Sequence, residues 1–357
     1  MQFVESKDLR PGMRLAKPIY NKNGVLLYER DTRLSVQVIN NIQNFMLIGV
    51  YILEPAEPLP PLTQEDLEFE RFQIQAVSAI EEEQDRILKT RKQNRTQSIA
   101  DMVIRNYGHL DEKINFYQNL RSREDYFSRH SLNVAILCAM ITHVMNIRRE
   151  EQYHTVCAAI LHDMGKVKKH DDVYYGAPYT REDMLRNCET QEEAYGIIEE
   201  AFATDGSGIR RICQQAARKQ LDLFPEDGEK SRYKMLAGAN VLLVANRYDE
   251  ITAMTLQGTA QSEVKALQEL LEHPEVYDPE TVRALIRSIN ILPPGASVEL
   301  STGEKALVLN ENEESVLRPT VVSFRDNSIL NLSLPGNEDI QIVDVMKTMD
   351  NRYIFNK

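Results

Sequence analysis

The chain has 357 residues, enough for two or three domains, and carries 54 acidic against 42 basic residues for a net charge of -12. That anionic excess excludes a general nucleic-acid surface, which needs clustered cations against the phosphate backbone. Cys138, Cys157, Cys188 and Cys213 are scattered within one region and form no C-x-x-C pair, the pattern of a reduced compartment without a disulfide framework. No apolar run approaches the roughly 20 residues that span a bilayer. The stretch from Met1 to Asp8 is charged from the start, so no leader is read and a cytoplasmic protein without membrane contact is expected.

Residues 1–54 read as a small N-terminal α/β module. Leu9-Arg10-Pro11-Gly12-Met13 is a turn, and Asn23-Gly24 between the apolar runs Ile19-Tyr20 and Val25-Leu26-Leu27 predicts a hairpin. Ser35 caps a short helix with Val36, Val38, Ile39 and Ile42 at its apolar positions, and Gly49 to Leu53 closes as a strand. Residues 55–96 form a connection: a stiff Pro-rich run through Pro55, Pro58, Pro60 and Pro61, then a charged helix striped by Phe69, Phe72, Ile74, Val77, Ile80 and Ile87. This helix is a candidate for signalling or dimerisation. Its basic residues Arg86, Lys89, Arg91, Lys92 and Arg95 follow many acids and read as a solvated face.

Residues 97–292 are read as mainly α. Leu132, Ala135, Ile136, Ala139 and Met140, then Val156, Ala159 and Ile160, repeat at helical spacing on either side of the polar turn Asn146 to Glu150. Two antiparallel helices with those faces would bring His130, near the start of the first, to His162-Asp163, at the end of the second. Imidazole plus carboxylate suits Fe, Mn or a similar divalent ion, and Lys166, supported by Lys168 and Lys169, offers an ammonium to a phosphate. Taken alone, the His-Asp dipeptide reads equally well as a solvated helix end. Residues 293–357 turn to β: a hairpin about Thr302-Gly303, then strands at Thr320 to Phe324 and Ile329 to Leu332, form a small C-terminal module.

The segments Arg129-His130-Ser131-Leu132-Asn133-Val134-Ala135 and Ala158-Ala159-Ile160-Leu161-His162-Asp163-Met164-Gly165-Lys166 resemble the HD superfamily of metal-dependent phosphohydrolases. The closer likeness is to its HD-GYP branch, whose members hydrolyse cyclic di-GMP. Tyr179 to Asp183, Ala194 to Ile198, Leu242 to Asp249 and Tyr277 to Val282 extend the resemblance over about residues 97 to 290. It implies an HD-type helical bundle with His130, His162, Asp163 and the residue at 246 as metal ligands, Lys166 as phosphate contact, and Asp163 and Lys166 as the catalytic pair.

Departures from the family pattern are equally specific. The register from Thr180 puts Thr190 where the family has a His. Gln214-Gln215-Ala216-Ala217-Arg218-Lys219 and Leu223 to Gly228 stand for its His-His pair and Gly-Tyr-Pro loop, and no histidine lies between His170 and His273. The final Asp ligand is Asn246, a weaker neutral donor. Asp249, three residues on, shares its helical face and reads mainly as a solvated or capping carboxylate. Cys188 and Cys213 lie near the lost ligands but read as small apolar residues, and Asp205-Gly206-Ser207-Gly208 as an ordinary turn.

Three function classes follow. The leading one is a degenerate HD-GYP-like protein of cyclic di-GMP signalling that binds a cyclic dinucleotide or other phosphate-containing small molecule with weak or no turnover. Next comes an active phosphohydrolase holding one divalent metal on His130, His162 and Asp163. Third is a scaffold whose N-terminal module or linker helix meets a protein partner or a second copy of the chain.

Overall fold

The computed structural model describes residues 2–21, 24–53, 64–116, 118–168, 180–202, 204–225, 234–255 and 260–346. The Pro-rich run, Asn23, Lys169, His170, Tyr179 and the stretch from Glu226 to Gly228 lie outside them.

The N-terminal module is a three-stranded antiparallel sheet in the order β1-β5-β2, from β1 (Gln2–Glu5), β2 (Arg14–Leu15) and β5 (Gly49–Leu53). Strands β3 (Ile19–Tyr20) and β4 (Leu26–Tyr28) pair antiparallel as the hairpin reading expects, with Gly24 between them at φ 76°. Helix α1 (Val36–Asn44) begins where Ser35 accepts a hydrogen bond from the amide of Val38, as the capping pattern requires. Strand β1 escaped the sequence reading because its four residues mix polar and apolar types without a clean alternation.

α2 (Gln64–Thr90) is not a free connecting helix. Ile80 and Ile87 are fully buried in the main core, and Gln84 donates from Nε2 to the Ile160 carbonyl at 2.8 Å and to Ser131 Oγ at 3.2 Å. Glu83 Oε1 accepts from the amides of Asn94, Arg95 and Thr96, so a buried carboxylate sits on the N-terminus of α3 (Thr96–Tyr107) where the helix dipole favours it. The basic residues Arg86, Lys89, Arg91, Lys92 and Arg95 are exposed, as the charge pattern predicts.

α4 (Tyr126–Val144) is the hub. Its residues from Ser131 to Thr142 are all buried, the signature of a helix enclosed on every side rather than amphipathic, and α2, α3, α5, α9 and α11 pack around it. Asn146 adopts the left-handed conformation (φ 54°) that ends α4 and reverses the chain into α5 (Arg149–Leu161). Next come α6 (Met164–Lys168) and α7 (Arg181–Ala201), the latter started by a capping box between Thr180 and Asp183. α8 (Gly206–Gln220) takes Gly206-Ser207-Gly208 as its first turn, so that sequence opens a helix instead of forming a loop. α9 (Ala237–Thr252), α10 (Glu263–Glu272) and α11 (Pro279–Ser288) complete the bundle; Asp278 caps α11, and Pro279 fills its first turn, where no amide is needed.

The C-terminal residues form an antiparallel sheet in the order β10-β6-β7-β8-β9: β6 (Ser297–Leu300), β7 (Lys305–Asn310), β8 (Thr320–Ser323), β9 (Ile329–Asn331) and β10 (Ile342–Val345). The hairpin at Thr302-Gly303 is present, with Gly303 at φ 78°. Val298, Leu300 and Ala306 join the helical core, and Gln268 Nε2 bonds the Ile342 carbonyl at 3.0 Å. The fold is mainly α, with small sheets at both ends.

Candidate metal and phosphate site

Four helices meet at one buried point. His130 projects from the second turn of α4, His162-Asp163 follows the last residue of α5, Lys166 lies on α6, and Asn246, Asp249 and Glu250 stand on α9. All seven are buried. The nitrogens and carboxylate oxygens of His130, His162 and Asp163 lie within 4.8 Å of one another, and they are the one such His/Asp group among the described residues.

Each imidazole is oriented by an acceptor on its Nδ1 side. His130 Nδ1 is 2.6 Å from Asp249 Oδ2, and His162 Nδ1 is 2.7 Å from the Ala159 carbonyl. Both acceptors require a proton on Nδ1, which leaves a lone pair on each Nε2. The two Nε2 atoms are 3.1 Å apart and lie 2.9 and 3.0 Å from Asn246 Oδ1. The Asn246 amide cannot turn its NH2 toward them, because Nδ2 donates to Glu250 Oε1 at 3.1 Å. Three lone pairs therefore converge with no hydrogen between them, and only a cation, either a proton on one Nε2 or a metal, makes that arrangement favourable.

The spacing suits a metal. With metal–ligand bonds of about 2.1 Å, ligand atoms at right angles sit about 3.0 Å apart, and those at tetrahedral angles about 3.4 Å. Asp163 closes the fourth side, its oxygens 3.6 Å from His130 Nε2 and 3.7 Å from His162 Nε2. The donor set fits one divalent ion.

Asp163 already has partners. Lys166 Nζ lies 2.9 Å from Oδ1 and 3.1 Å from Oδ2, and Gln191 Nε2 donates to Oδ1 at 2.8 Å. Burial works to raise the Asp163 pKa, but the Lys166 ammonium and the two imidazoles outweigh it and hold the carboxyl below its usual range. Burial likewise works against the Lys166 charge, and Asp163 more than restores it. For His162, burial dominates and holds the imidazole below its ordinary pKa, in the neutral form a metal needs.

Gln191, not Thr190, is the α7 residue that meets the site, one position from the family register. Its Oε1 accepts from the Gly165 amide at 2.7 Å. Helices α6 and α7 can approach only because residue 165 has no side chain: a Cβ there would lie 2.3 Å from the Thr190 carbonyl oxygen. Asp249 is neither solvated nor a cap. It is fully buried between Arg121 Nη2 (2.6 Å), Asn133 Nδ2 (2.9 Å) and His130, and acts on the site through His130 rather than as a ligand.

The cleft beside the site holds about 50 Å³ of free space and is lined by the polar Lys166, Gln191, Gln220 and Glu250 and by the apolar Met184, Leu242 and the two cysteines. Burial pushes the Cys188 thiol up to about 11 and Cys213 higher still, so both are protonated and apolar at neutral pH, not thiolate ligands. Glu250 escaped the sequence reading although it stands one helical turn from Asn246; its Oε2 is held by Arg247 Nη1 and Gln220 Nε2, both at 3.2 Å. Arg121 left no signal, since it lies between helices where no periodicity marks it.

Comparison with known proteins agrees with this geometry. The HD domain family model matches residues 127–251. A cyclic di-GMP phosphodiesterase of Pseudomonas aeruginosa is 22% identical over 215 residues, covering 57% of this chain and 49% of that protein. The chain thus spans about half the length of this curated relative. No solved structure matches. None of the described helices is long and apolar enough to cross a membrane.

Proposed function

From the HD domain that residues 127–251 carry, we propose that this chain is a cyclic di-GMP signalling protein whose HD site recognises a phosphate-containing ligand, with turnover weak or absent. The observation that carries the reading is the replacement of a charged ligand by a neutral amide: Asn246 faces the two histidines, and the one carboxylate of the set, Asp163, is already bonded by Gln191 and bridged by Lys166. Such a set supports one cation, not a multinuclear centre of the kind that activates water and neutralises a phosphodiester together.

His130, His162, Asp163 and Asn246 would hold that ion, with Fe or Mn as the type their donors suit. When bound, it would supply Lewis-acid polarisation and a more acidic water. Lys166 keeps its proton and presents an ammonium at the wall of the cleft. A phosphate oxygen entering there would share it with Asp163. Gln191 would keep its own bond to Asp163.

The convergence of three lone pairs favours one second reading, a slow single-metal phosphohydrolase. Metal analysis of the purified chain, with cyclic di-GMP titration and a hydrolysis assay, decides between them. The expected result is no more than one metal per chain and binding without hydrolysis. Turnover at the roughly 1–1,000 per second typical of enzymes would overturn the proposal, and absence of any cyclic di-GMP binding would favour the scaffold.

A further inference from the structure

The fully buried Arg121 lies outside the matched HD segment, yet it touches the innermost partner of a proposed metal ligand. Its main chain belongs to a different neighbourhood. The Arg121 carbonyl accepts from the Ile48 amide at 3.0 Å, and Leu47 pairs with Ser122 as an antiparallel bridge. Tyr51 donates from its hydroxyl to the Gln118 carbonyl at 3.1 Å, and Leu120 packs against the apolar core of the N-terminal module. The stretch 118–122 is thus held from one side by β5 and the residues before it.

From the other side, the same stretch reaches the site. Arg121 Nη2 bonds Asp249 Oδ2 at 2.6 Å, and that same oxygen lies 2.6 Å from His130 Nδ1. Asn133, one turn of α4 beyond His130, bonds both Asp249 Oδ1 (2.9 Å) and Gln118 Oε1 (2.7 Å). Every atom of the Asp249 carboxylate is therefore fixed either by the 118–122 stretch or by a residue bonded to it. A carboxylate behind a ligating histidine sets the tautomer and ring orientation, and losing such a partner typically weakens metal binding about 10- to 100-fold.

We propose that Arg121 is the positioning residue through which the N-terminal module sets the imidazole of His130. The module holds the Arg121 main chain, Arg121 fixes Asp249, and Asp249 keeps the proton on Nδ1 so that Nε2 faces Asn246 and His162. Movement of the module against residues 118–122 is then transmitted to the readiness of the site for a cation. The inference rests on the one-cation reading for its metal readout, while its tautomer readout stands without a metal.

The test uses the full chain, Mn2+ as the probe ion, and nitrogen-15 NMR of the histidine side chains in metal-free protein. Wild type should show a proton held on His130 Nδ1, on the side of Asp249. Arg121→Gln should lose that signature while His162, anchored to the Ala159 carbonyl, keeps its own, and Mn2+ affinity should fall about 10- to 100-fold. Leu120→Ala, which removes packing against the apolar core of the module, should shift the His130 signals in the same direction with a smaller loss of affinity. Arg121→Lys should restore part of both and serves if Arg121→Gln does not fold. Unchanged His130 signals in folded Arg121 variants overturn the proposal, as do unchanged His130 signals in Leu120→Ala. If wild type binds no Mn2+, the one-cation reading fails and the NMR arm alone decides the role of Arg121.

Discussion

Asn246→Asp tests the site most directly, because residue 246 is where the loss of a charge can be weighed against its neighbours. The new carboxylate would place one oxygen about where Nδ2 now stands, 3.1 Å from Glu250 Oε1. At an effective dielectric of about 20, two unit charges at that distance repel by about 5 kcal/mol, and the lost hydrogen bond costs about 1 kcal/mol more. The other oxygen would face the two Nε2 atoms at 2.9 and 3.0 Å. A proton taken up by either imidazole would return about 5 kcal/mol by the same arithmetic. The substitution is therefore nearly balanced when a cation is present and costly when none is. We expect the metal-free variant to be destabilised above neutral pH and to bind Mn2+ at least about tenfold more tightly than wild type, a difference of about 1.4 kcal/mol. Isothermal titration at two pH values reads both effects. Equal Mn2+ affinity for wild type and Asn246→Asp would refute the convergence of lone pairs as a cation site.

Lys166→Met should remove the ammonium from both Asp163 oxygens and leave only the Gln191 bond to Oδ1, so Mn2+ binding should tighten while cyclic di-GMP binding weakens by about 1.5–3 kcal/mol, the worth of a charge-assisted contact, and paired titrations of the two ligands check it. Gly165→Ala should destabilise the chain by about 1–3 kcal/mol in urea denaturation, because the Thr190 carbonyl that the new Cβ meets cannot rotate away. The pH dependence has a definite sign. His162 is held below its ordinary pKa of 6.5 by burial, so as pH falls below about 6.5 the unfolded chain takes up a proton that the folded chain refuses. Stability should fall with pH from that point, whereas Asp163 and Asp249, held low in the folded state, add their losses only below about 3.9. Melting curves from pH 8 to 3 that stay flat through pH 6 would contradict the assignment for His162.

Helices α4 and α5, the hairpin at Gly24 and the Thr302-Gly303 turn were legible because period, caps and turn residues are local signals. Strands β1 and β10 were not, being four residues each and defined by pairing with distant partners. At the site, His130, His162, Asp163 and Asn246 were readable from the motif resemblance, but the roles of their neighbours were not. Gln191 was missed because one residue is about 100° of helix rotation, and the register settles only when Gly165 lets α6 approach α7. Asp249 read as solvated because its buried partners lie 119 and 128 residues away in sequence. Lys166 was readable as a cation beside the His-Asp pair, but not as the counter-ion of Asp163.

The charges around the site are answered within the chain. Lys166 faces Asp163, Arg121 faces Asp249, and Arg247 bonds Glu250 while also reaching Glu269 at the rim. A site that assembles several metals leaves its carboxylates without protein cations, because their mutual repulsion is relieved only by the ions that bind. Here basic side chains already perform that neutralisation, so the attraction for a divalent ion is reduced and a phosphodiester anion meets little uncompensated negative charge. Both consequences point from turnover toward recognition. They also explain why residue 246 is the discriminating position: its uncharged amide oxygen faces both imidazole Nε2 atoms, and adding a charge there restores a demand for a cation that a metal, or a proton on an imidazole, would meet.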